Sequence, residues 1–419
     1  MIFEWLISYI KKFSKAFWFS NVLELFERFA FYGSKSILVI FLANKVGLGE
    51  DAGKLAGLFT SIIFGLTILA GVFVDKYGLR RTLIFCFSIF CIGYFIIAMA
   101  GMSWSQPIIQ VFGVKTYITL ALVFTATGGS LIKPCIVGTV ALNTNKENRA
   151  QGFSIYYSMV NLGGAIGPAL ALLTRQELGI EFVLVMSSIT SFFLMLATIL
   201  FFKEPAPDKG IADNRTLGKV FAEMVQVFKN FRFILFLVIF SGFWIMFWQV
   251  FYLLPFYATE VLAFKSFEIL ESVDAWFIIF FSIFLTSIFK NWKPIFAMIV
   301  GSAIASLSWT IIALFGTVWS VVIGVGIFAI GESIQASRFY EYITDFAPSN
   351  QLGTYMGFAF FPIAIGSFSA GYVADYLRLN FLETQPYMMW NILFFIGIAT
   401  TVLLILFDQI FVKTKSKIL

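Results

Sequence analysis

Long apolar segments recur along the whole chain, and short polar stretches separate each one from the next. A helix that crosses a bilayer needs about 20 mainly apolar residues. Twelve segments reach that length, at residues 17–43, 54–74, 81–101, 116–142, 151–174, 181–202, 231–259, 268–289, 294–315, 318–340, 352–374 and 385–412. The pattern predicts an all-α integral membrane protein with twelve transmembrane helices.

The longest hydrophilic stretch joins spans six and seven and divides the chain into two halves of six spans each. We predict an N-terminal six-helix bundle at 1–202, a cytoplasmic linker at 203–230 and a C-terminal six-helix bundle at 231–419. Residues 217–228 of the linker are amphipathic, which predicts a helix on the membrane surface. The first twelve residues suggest the same, and they do not resemble a cleaved signal peptide.

Composition supports this class, because 60% of the residues are hydrophobic and only 12% are charged, whereas soluble domains carry about 25% charged residues. Of the 29 Lys and Arg residues, 20 fall in alternate loops and termini on one side, six on the other side and three inside spans. The positive-inside rule then places both termini in the cytoplasm of a cell-membrane protein. The net charge of +6 reflects this topology and does not indicate nucleic-acid binding.

The first span carries charges within its apolar sequence. At about 100° per residue, Glu24, Glu27, Arg28, Phe31 and Lys35 lie on one side of the helix. Ionisable residues at membrane depth usually face the protein interior or a water-filled path. The pattern favours a helix that lines a transport pathway. The alternative is an internal ion pair that holds two helices together.

Several kinds of chemistry are excluded by the residues that the chain lacks. Histidine is absent, so zinc sites with histidine ligands and histidine-dependent triads or dyads cannot form. No phosphate-binding P-loop occurs, and Cys86, Cys91 and Cys135 all fall in spans, which predicts no disulfide framework. We therefore predict no enzyme activity, no metal and no cofactor.

The loop after span two reads GVFVDKYGLRR, with Gly71, Asp75, Gly78, Arg80 and Arg81 in the pattern G-x-x-x-D-x-x-G-x-R-R. This pattern resembles the signature of the major facilitator superfamily. The resemblance implies two six-helix halves, alternating access around a site between them, and a conformational latch made by the aspartate and the arginines. Topogenic charge alone is the alternative explanation for the two arginines.

Four further segments resemble the proton-coupled oligopeptide transporter family. They are ELFERFAFYGSK at 24–35, GGSLIKPC at 128–135, YYSMVNLG at 156–163, and GES at 331–333 followed by AP at 347–348 and GTYMG at 353–357. The resemblance implies a proton-responsive cluster of Glu24, Glu27 and Arg28. It also implies that Lys35 and Lys133 meet a peptide carboxylate and that Glu332 meets the peptide amino group or Lys133.

The same resemblance implies that Tyr32, Tyr157 and Asn161 line the pocket, although packing is an open alternative for the tyrosines. The chain also departs from the family pattern. Where the family commonly has an acid before the glutamine of helix seven, this chain has Phe247 and Trp248 ahead of Gln249. We expect Trp248 and Gln249 to border the substrate site, and ordinary helix packing is the alternative for the aromatic residues of this span.

Span eight begins with a second departure, because Asp274 stands where the family tends to have asparagine. One interpretation is that Asp274 returns the missing negative charge to the same cavity and takes part in proton coupling. The other is a residue at the start of a helix, which the helix dipole favours.

We predict a secondary active transporter that couples protons to the uptake of short peptides or related zwitterions, by alternating access. Its partners would be this small substrate, protons and membrane lipid, with no nucleic acid, and we predict a monomer. The first alternative is a carrier of the same superfamily with a changed substrate and altered or lost proton coupling. The second is a membrane receptor or scaffold that transports nothing.

Overall fold

Residues 12–145, 148–204, 217–289, 291–348 and 351–413 are described by a computed structural model of the chain. These ranges are helical and contain no strand. The twelve long helices are α1 (Lys15–Ile40), α2 (Ala52–Tyr77), α3 (Leu79–Met99), α4 (Val114–Leu142), α5 (Arg149–Glu177), α6 (Ile180–Phe201), α7 (Phe231–Val261), α8 (Phe267–Phe289), α9 (Pro294–Phe315), α10 (Val318–Thr344), α11 (Gly353–Phe381) and α12 (Pro386–Phe407). Each predicted span coincides with one of them.

Ten helices in the described part of the chain are long and apolar enough to cross a membrane. The other two long helices, α1 and α8, carry charged residues within their sequences and run for 26 and 23 residues. Their lengths also suffice, since 20 residues of helix span about 30 Å. The all-α membrane architecture that the sequence predicts is confirmed.

Three helices are interrupted just before a proline. Helix α4 breaks at Ser130 and Leu131, α7 at Leu253 and α11 over Phe358–Phe360, and Pro134, Pro255 and Pro362 follow within four residues. Proline lacks the N–H that the preceding turn would bond, and its ring clashes with the carbonyl four residues earlier. The break in α4 places Lys133 at the start of a new helical segment, Ile132–Leu142.

The chain packs into two compact units. The first combines Met1–Ser34 with Leu69–Val220, and the second combines Lys35–Ile68 with Phe221–Leu419. Helices α1 and α2 are therefore each divided, because the end of α1 from Lys35 onward and α2 as far as Ile68 pack with the C-terminal helices. The division at the 203–230 linker remains a prediction from sequence.

Within the first unit, α3 packs against α4 and α6, and α5 packs against α6. Glycines let α5 approach α1 closely: a Cβ added at Gly167 would lie 2.9 Å from the carbonyl oxygen of Phe29, and one at Gly163 would overlap the side chain of Arg28. Small residues permit such approaches between membrane helices. Helix α5 therefore lies directly against the charged face of α1.

Within the second unit, α9 packs against α10 and α12, α8 against α10, and α7 against α11 and α12. The predicted linker helix is present at Leu217–Lys229. Glu223 accepts a hydrogen bond from Thr354 at 2.7 Å, while Phe221 on another face is 64% exposed. Its amphipathic character is confirmed, and its position on a membrane surface stays a prediction. A surface helix was also predicted for residues 1–12. Of these, residues 1–11 lie outside the described residues.

Candidate functional site

The first unit holds a buried ion-paired cluster on one face of α1. Glu24, Glu27 and Arg28 are each no more than 4% exposed. The Arg28 guanidinium lies between the two acids, with Nε 3.5 Å from Glu24 Oε1 and Nη2 2.5 Å from Glu27 Oε2. The periodicity of α1 thus brings together the three charges that the sequence placed on one face.

Lys133 of α4 extends this cluster. Its Nζ lies 3.1 Å from Glu24 Oε1 and donates a hydrogen bond to the Tyr156 hydroxyl at 2.9 Å. Glu24 is therefore the carboxylate that joins the two basic side chains. Two acids and two bases balance in charge. Within the described residues, Glu24 Oε2 and Glu27 Oε1 are buried without a hydrogen-bond partner, which leaves room for a proton or a ligand donor.

Tyr156 is a contact of Lys133 that the sequence analysis missed. The family resemblance had pointed to Tyr157, but the Tyr157 side chain is 40% exposed. The helix period points to Tyr156, because it precedes Gly163 by seven residues, about two helical turns. The two residues therefore lie on the same side of α5, and Gly163 faces α1. Asn161 donates its Nδ2 to the Tyr157 carbonyl at 2.8 Å, so its polar group is satisfied by its own helix.

Aromatic rings border the cluster on α1. The Arg28 guanidinium carbon lies 4.6 Å from the centre of the Phe31 ring and 5.9 Å from that of Tyr32. Both distances fall within the range of cation–π attraction. The half-buried Tyr32 thus lies beside the Arg28 guanidinium, and its role in lining a substrate pocket stays a prediction.

Lys35 belongs to a separate network in the second unit. The side chain is 1% exposed, and its ammonium donates hydrogen bonds to the Thr60 hydroxyl and, at 2.9 Å, to the Tyr252 hydroxyl. The ammonium also lies 4.2 Å from the centre of the Trp248 ring. The buried Glu271 of α8 interacts electrostatically with the Lys35 ammonium. Glu271 was not among the site residues predicted from the sequence.

Helix α7 is also interrupted at Trp248, between the segments Phe231–Phe247 and Gln249–Tyr252. Trp248 is 3% exposed and stacks on Tyr252, with ring centres 6.0 Å apart. Gln249 is fully buried, and its Nε2 donates to the carbonyls of Ile245 and Ala370 at 3.1 Å each. Its Oε1 has no partner among the described residues. Gln249 therefore ties α7 to α11 and retains one unused acceptor.

Asp274 and Glu332 form an acidic pair in the second unit. Helix α8 begins at Phe267, so Asp274 lies about two turns inside it, and the alternative of a helix-start residue is wrong. The two carboxylates are close enough for their charges to interact. Asp274 Oδ1 and Glu332 Oε2 are both shielded from solvent and have no hydrogen-bond partner in the described part of the chain. Their arrangement suits an ammonium group or a proton.

A comparison with protein-family models then matches residues 20–371 to the Major Facilitator Superfamily. The chain belongs to the major facilitator superfamily. This family consists of transporters.

Dipeptide and tripeptide permease B of Photorhabdus luminescens is 29% identical over 160 residues, which cover 38% of this chain and 31% of that protein. The uncharacterized transporter YclF of Bacillus subtilis (strain 168) is 30% identical over 156 residues, or 35% of this chain and 29% of that protein. The matched part thus spans about a third of the length of these curated relatives.

Solved structures share the fold across nearly the whole chain. A POT family transporter in complex with a thioalcohol-conjugated peptide has a TM-score of 0.76 at 17% identity, covering 94% of this chain and 96% of that one. A POT family transporter in complex with 5-aminolevulinic acid has a TM-score of 0.74 at 16% identity, covering 93% and 94%. At these identities the likeness concerns the fold.

The loop between α2 and α3, which carries the superfamily motif, is bound by a residue that lies outside this motif. Gly78 precedes α3 with φ +80°, a conformation that glycine adopts easily. The backbone N–H groups of Leu79 and Arg80 donate to the Glu204 carboxylate at 2.6 and 3.1 Å. Arg80 donates from Nη2 to the Ile199 carbonyl, while Asp75 and Arg81 are exposed. Glu204 therefore caps α3, and the predicted latch of Asp75, Arg80 and Arg81 stays a prediction.

Replacing Glu204 by alanine should lower the free energy of unfolding by about 1 kcal/mol, because two N–H groups at the start of α3 lose their acceptor. Thermal unfolding in detergent measures this loss. The neighbouring exposed Lys203 is the control, since its replacement by alanine should leave stability within about 0.5 kcal/mol of the parent. Equal effects of the two changes would contradict the capping role.

Proposed function

We propose that this protein is a proton-coupled carrier that takes up short peptides or related zwitterions across the cell membrane, with both termini in the cytoplasm. The observation that carries the proposal is the charge-balanced cluster of Glu24, Glu27, Arg28 and Lys133, buried in helices that cross the membrane. Charged groups there are costly, and they usually mark the path of a substrate or of protons.

Each unit, taken by itself, carries a charged group that suits one end of a zwitterion. In the first unit, Lys133 presents an ammonium with the hydroxyl of Tyr156 beside it, which suits a carboxylate. In the second unit, Asp274 and Glu332 present carboxylate oxygens without partners among the described residues, which suit an ammonium. The names of the relatives agree with this chemistry, since the permeases are named for dipeptides and tripeptides and one structural neighbour holds 5-aminolevulinic acid.

Proton coupling would use the carboxyl groups, because the chain has no histidine. In our proposal, protonation of Glu24, Glu27, Asp274 or Glu332 changes how these groups pair with Arg28, Lys133 or the substrate. Such a local change of charge shifts the balance between two conformations of a carrier. Tyr32, Lys35, Tyr157, Asn161, Trp248 and Gln249 are proposed to border the substrate.

A second candidate is a superfamily carrier with a changed substrate or altered coupling. One observation favours it: Lys35, which the resemblance assigns to the substrate carboxylate, is already engaged by Thr60, Tyr252 and Trp248. A carrier of amino acids or other small zwitterions needs fewer such contacts. Competition by dipeptides, free amino acids and 5-aminolevulinic acid for uptake of one labelled dipeptide would distinguish the two candidates.

The proposal is tested by uptake of labelled di- and tripeptides into proteoliposomes with and without an inward proton gradient. The wild type should accumulate peptide only under the gradient. Glu332→Gln should abolish this accumulation, because the ammonium partner and a proton acceptor are both lost, while Asp274→Asn should reduce it by a smaller factor. Wild-type protein that moves no peptide under any gradient would overturn the assignment.

A further inference from the structure

The first half of α2 packs on α11 through a series of small residues. Gly53 and Gly57 of α2 are four residues apart and face Gly371 of α11. A Cβ at Gly53 would lie 2.7 Å from the Gly371 carbonyl oxygen, and one at Gly57 would lie 2.7 Å from the Ser367 carbonyl oxygen. Both distances are too short for a carbon atom, so only glycine allows these two backbones to come so close.

Asp375 lies one helical turn beyond Gly371 and binds the start of α2. Its Oδ1 accepts a hydrogen bond from the Gly53 backbone N–H at 2.8 Å, and its Oδ2 accepts from the Lys54 N–H at 2.9 Å. These N–H groups belong to the first turn of α2, which has no internal partners for them. The carboxylate is 2% exposed, so it acts as a buried cap supplied by another helix.

Two further contacts extend this interface in both directions. Arg378, almost one turn beyond Asp375, donates to the Gly49 carbonyl just before α2. On the other side, the Tyr252 hydroxyl lies 2.9 Å from Ser367 Oγ and donates to the Ala56 carbonyl at 3.1 Å. The polar contacts thus run from the residues just before α2 through its first turns, beside the glycines.

We propose that Asp375 is a gating residue of the transport cycle, which closes the outer side by holding the first half of α2 against α11. The proposal rests on two parts of the proposed function, that the chain is a carrier and that its termini are cytoplasmic. It does not depend on the substrate. The proposal also takes α2 and α11 to belong to the two predicted bundles, 1–202 and 231–419. A carrier exposes its site alternately to the two sides by moving one half against the other, so the contact between these two helices must part whenever the outer side opens.

External accessibility of a cysteine tests the proposal. The reporter is Ala56→Cys, at a fully buried position of α2, in a chain whose Cys86, Cys91 and Cys135 are alanine. Right-side-out membrane vesicles are treated with a membrane-impermeant maleimide. Asp375→Ala and Gly371→Ala, each added to the reporter, should speed labelling about tenfold, the shift that corresponds to about 1.4 kcal/mol. Asp375→Asn keeps one acceptor oxygen and should lie between.

Gly65→Ala is the matched control on the same pair of helices. Its Cβ would lie 3.7 Å from the Ala364 Cβ, an ordinary contact, so labelling of the reporter should not change. Size-exclusion elution confirms that each variant is folded. Unchanged labelling in both Asp375→Ala and Gly371→Ala would overturn the proposal, and so would faster labelling confined to inside-out vesicles. Faster labelling in a protein that moves no peptide would support the gate while refuting the peptide assignment.

Discussion

Glu24→Gln should lower the free energy of unfolding by about 3–5 kcal/mol, the usual cost of removing one partner from a buried ion pair. Glu24 is fully buried and meets both Arg28 and Lys133, so its loss leaves an uncompensated positive charge in the membrane-spanning part of the protein. Gradient-driven peptide uptake should be lost as well. Thermal unfolding in detergent and uptake into proteoliposomes measure the two effects.

The double variant Glu24→Gln/Lys133→Met separates stability from transport. Removing both charges restores neutrality, so most of the lost stability should return, and the non-additivity measures the interaction between the two residues. Uptake should stay absent, since the proposed proton and carboxylate contacts are both gone. Glu341→Gln is the control, because the Glu341 side chain is 50% exposed where it pairs with Arg338, and ion pairs open to solvent contribute about 0–1 kcal/mol. A double variant as unstable as Glu24→Gln would contradict a direct pair.

Lys35→Met should destabilise the protein by a similar amount, about 3–5 kcal/mol, because it removes two buried hydrogen bonds from a charged group, each of which contributes about 1.5–3 kcal/mol. The change removes the ammonium from the hydroxyls of Thr60 and Tyr252 and leaves the buried Glu271 without the positive charge that acts on it. Glu271→Gln alone should also destabilise, since it leaves Lys35 charged and buried. The double variant Lys35→Met/Glu271→Gln should recover most of the stability, as measured by thermal unfolding.

Uptake by this double variant decides between two roles for Lys35. If Lys35 serves the closed packing of α1, α2 and α7 together with Glu271, the double variant should regain transport. If Lys35 binds the substrate carboxylate, uptake should remain absent although the fold is restored. Tyr252→Phe is a useful companion, because it removes one partner of Lys35 and leaves the charges in place. Its loss of stability should be smaller, about 1.5–3 kcal/mol.

Much of the site could be predicted from local patterns. A helix turns by about 100° per residue, so the spacing of Glu24, Glu27 and Arg28 already placed them on one face of α1. The break in α4 follows from Pro134 alone. Glu204, Glu271 and Asp375 could not be selected in this way, because each acquires its role from a partner more than 100 residues away in the chain.

The twelve helices and their charged faces could be predicted from the chain alone, since length, hydropathy and periodicity act within one helix and a bilayer favours helices that satisfy their own backbone hydrogen bonds. The chain also carried the family signature in the loop after α2. Which faces meet depends on tertiary packing: Lys133 joins Glu24, Lys35 joins Tyr252, and α1 and α2 are each divided between the two units. The physical reason is that close helix packing depends on matching shapes of two surfaces, such as Gly53 on Gly371, and neither surface alone specifies its partner.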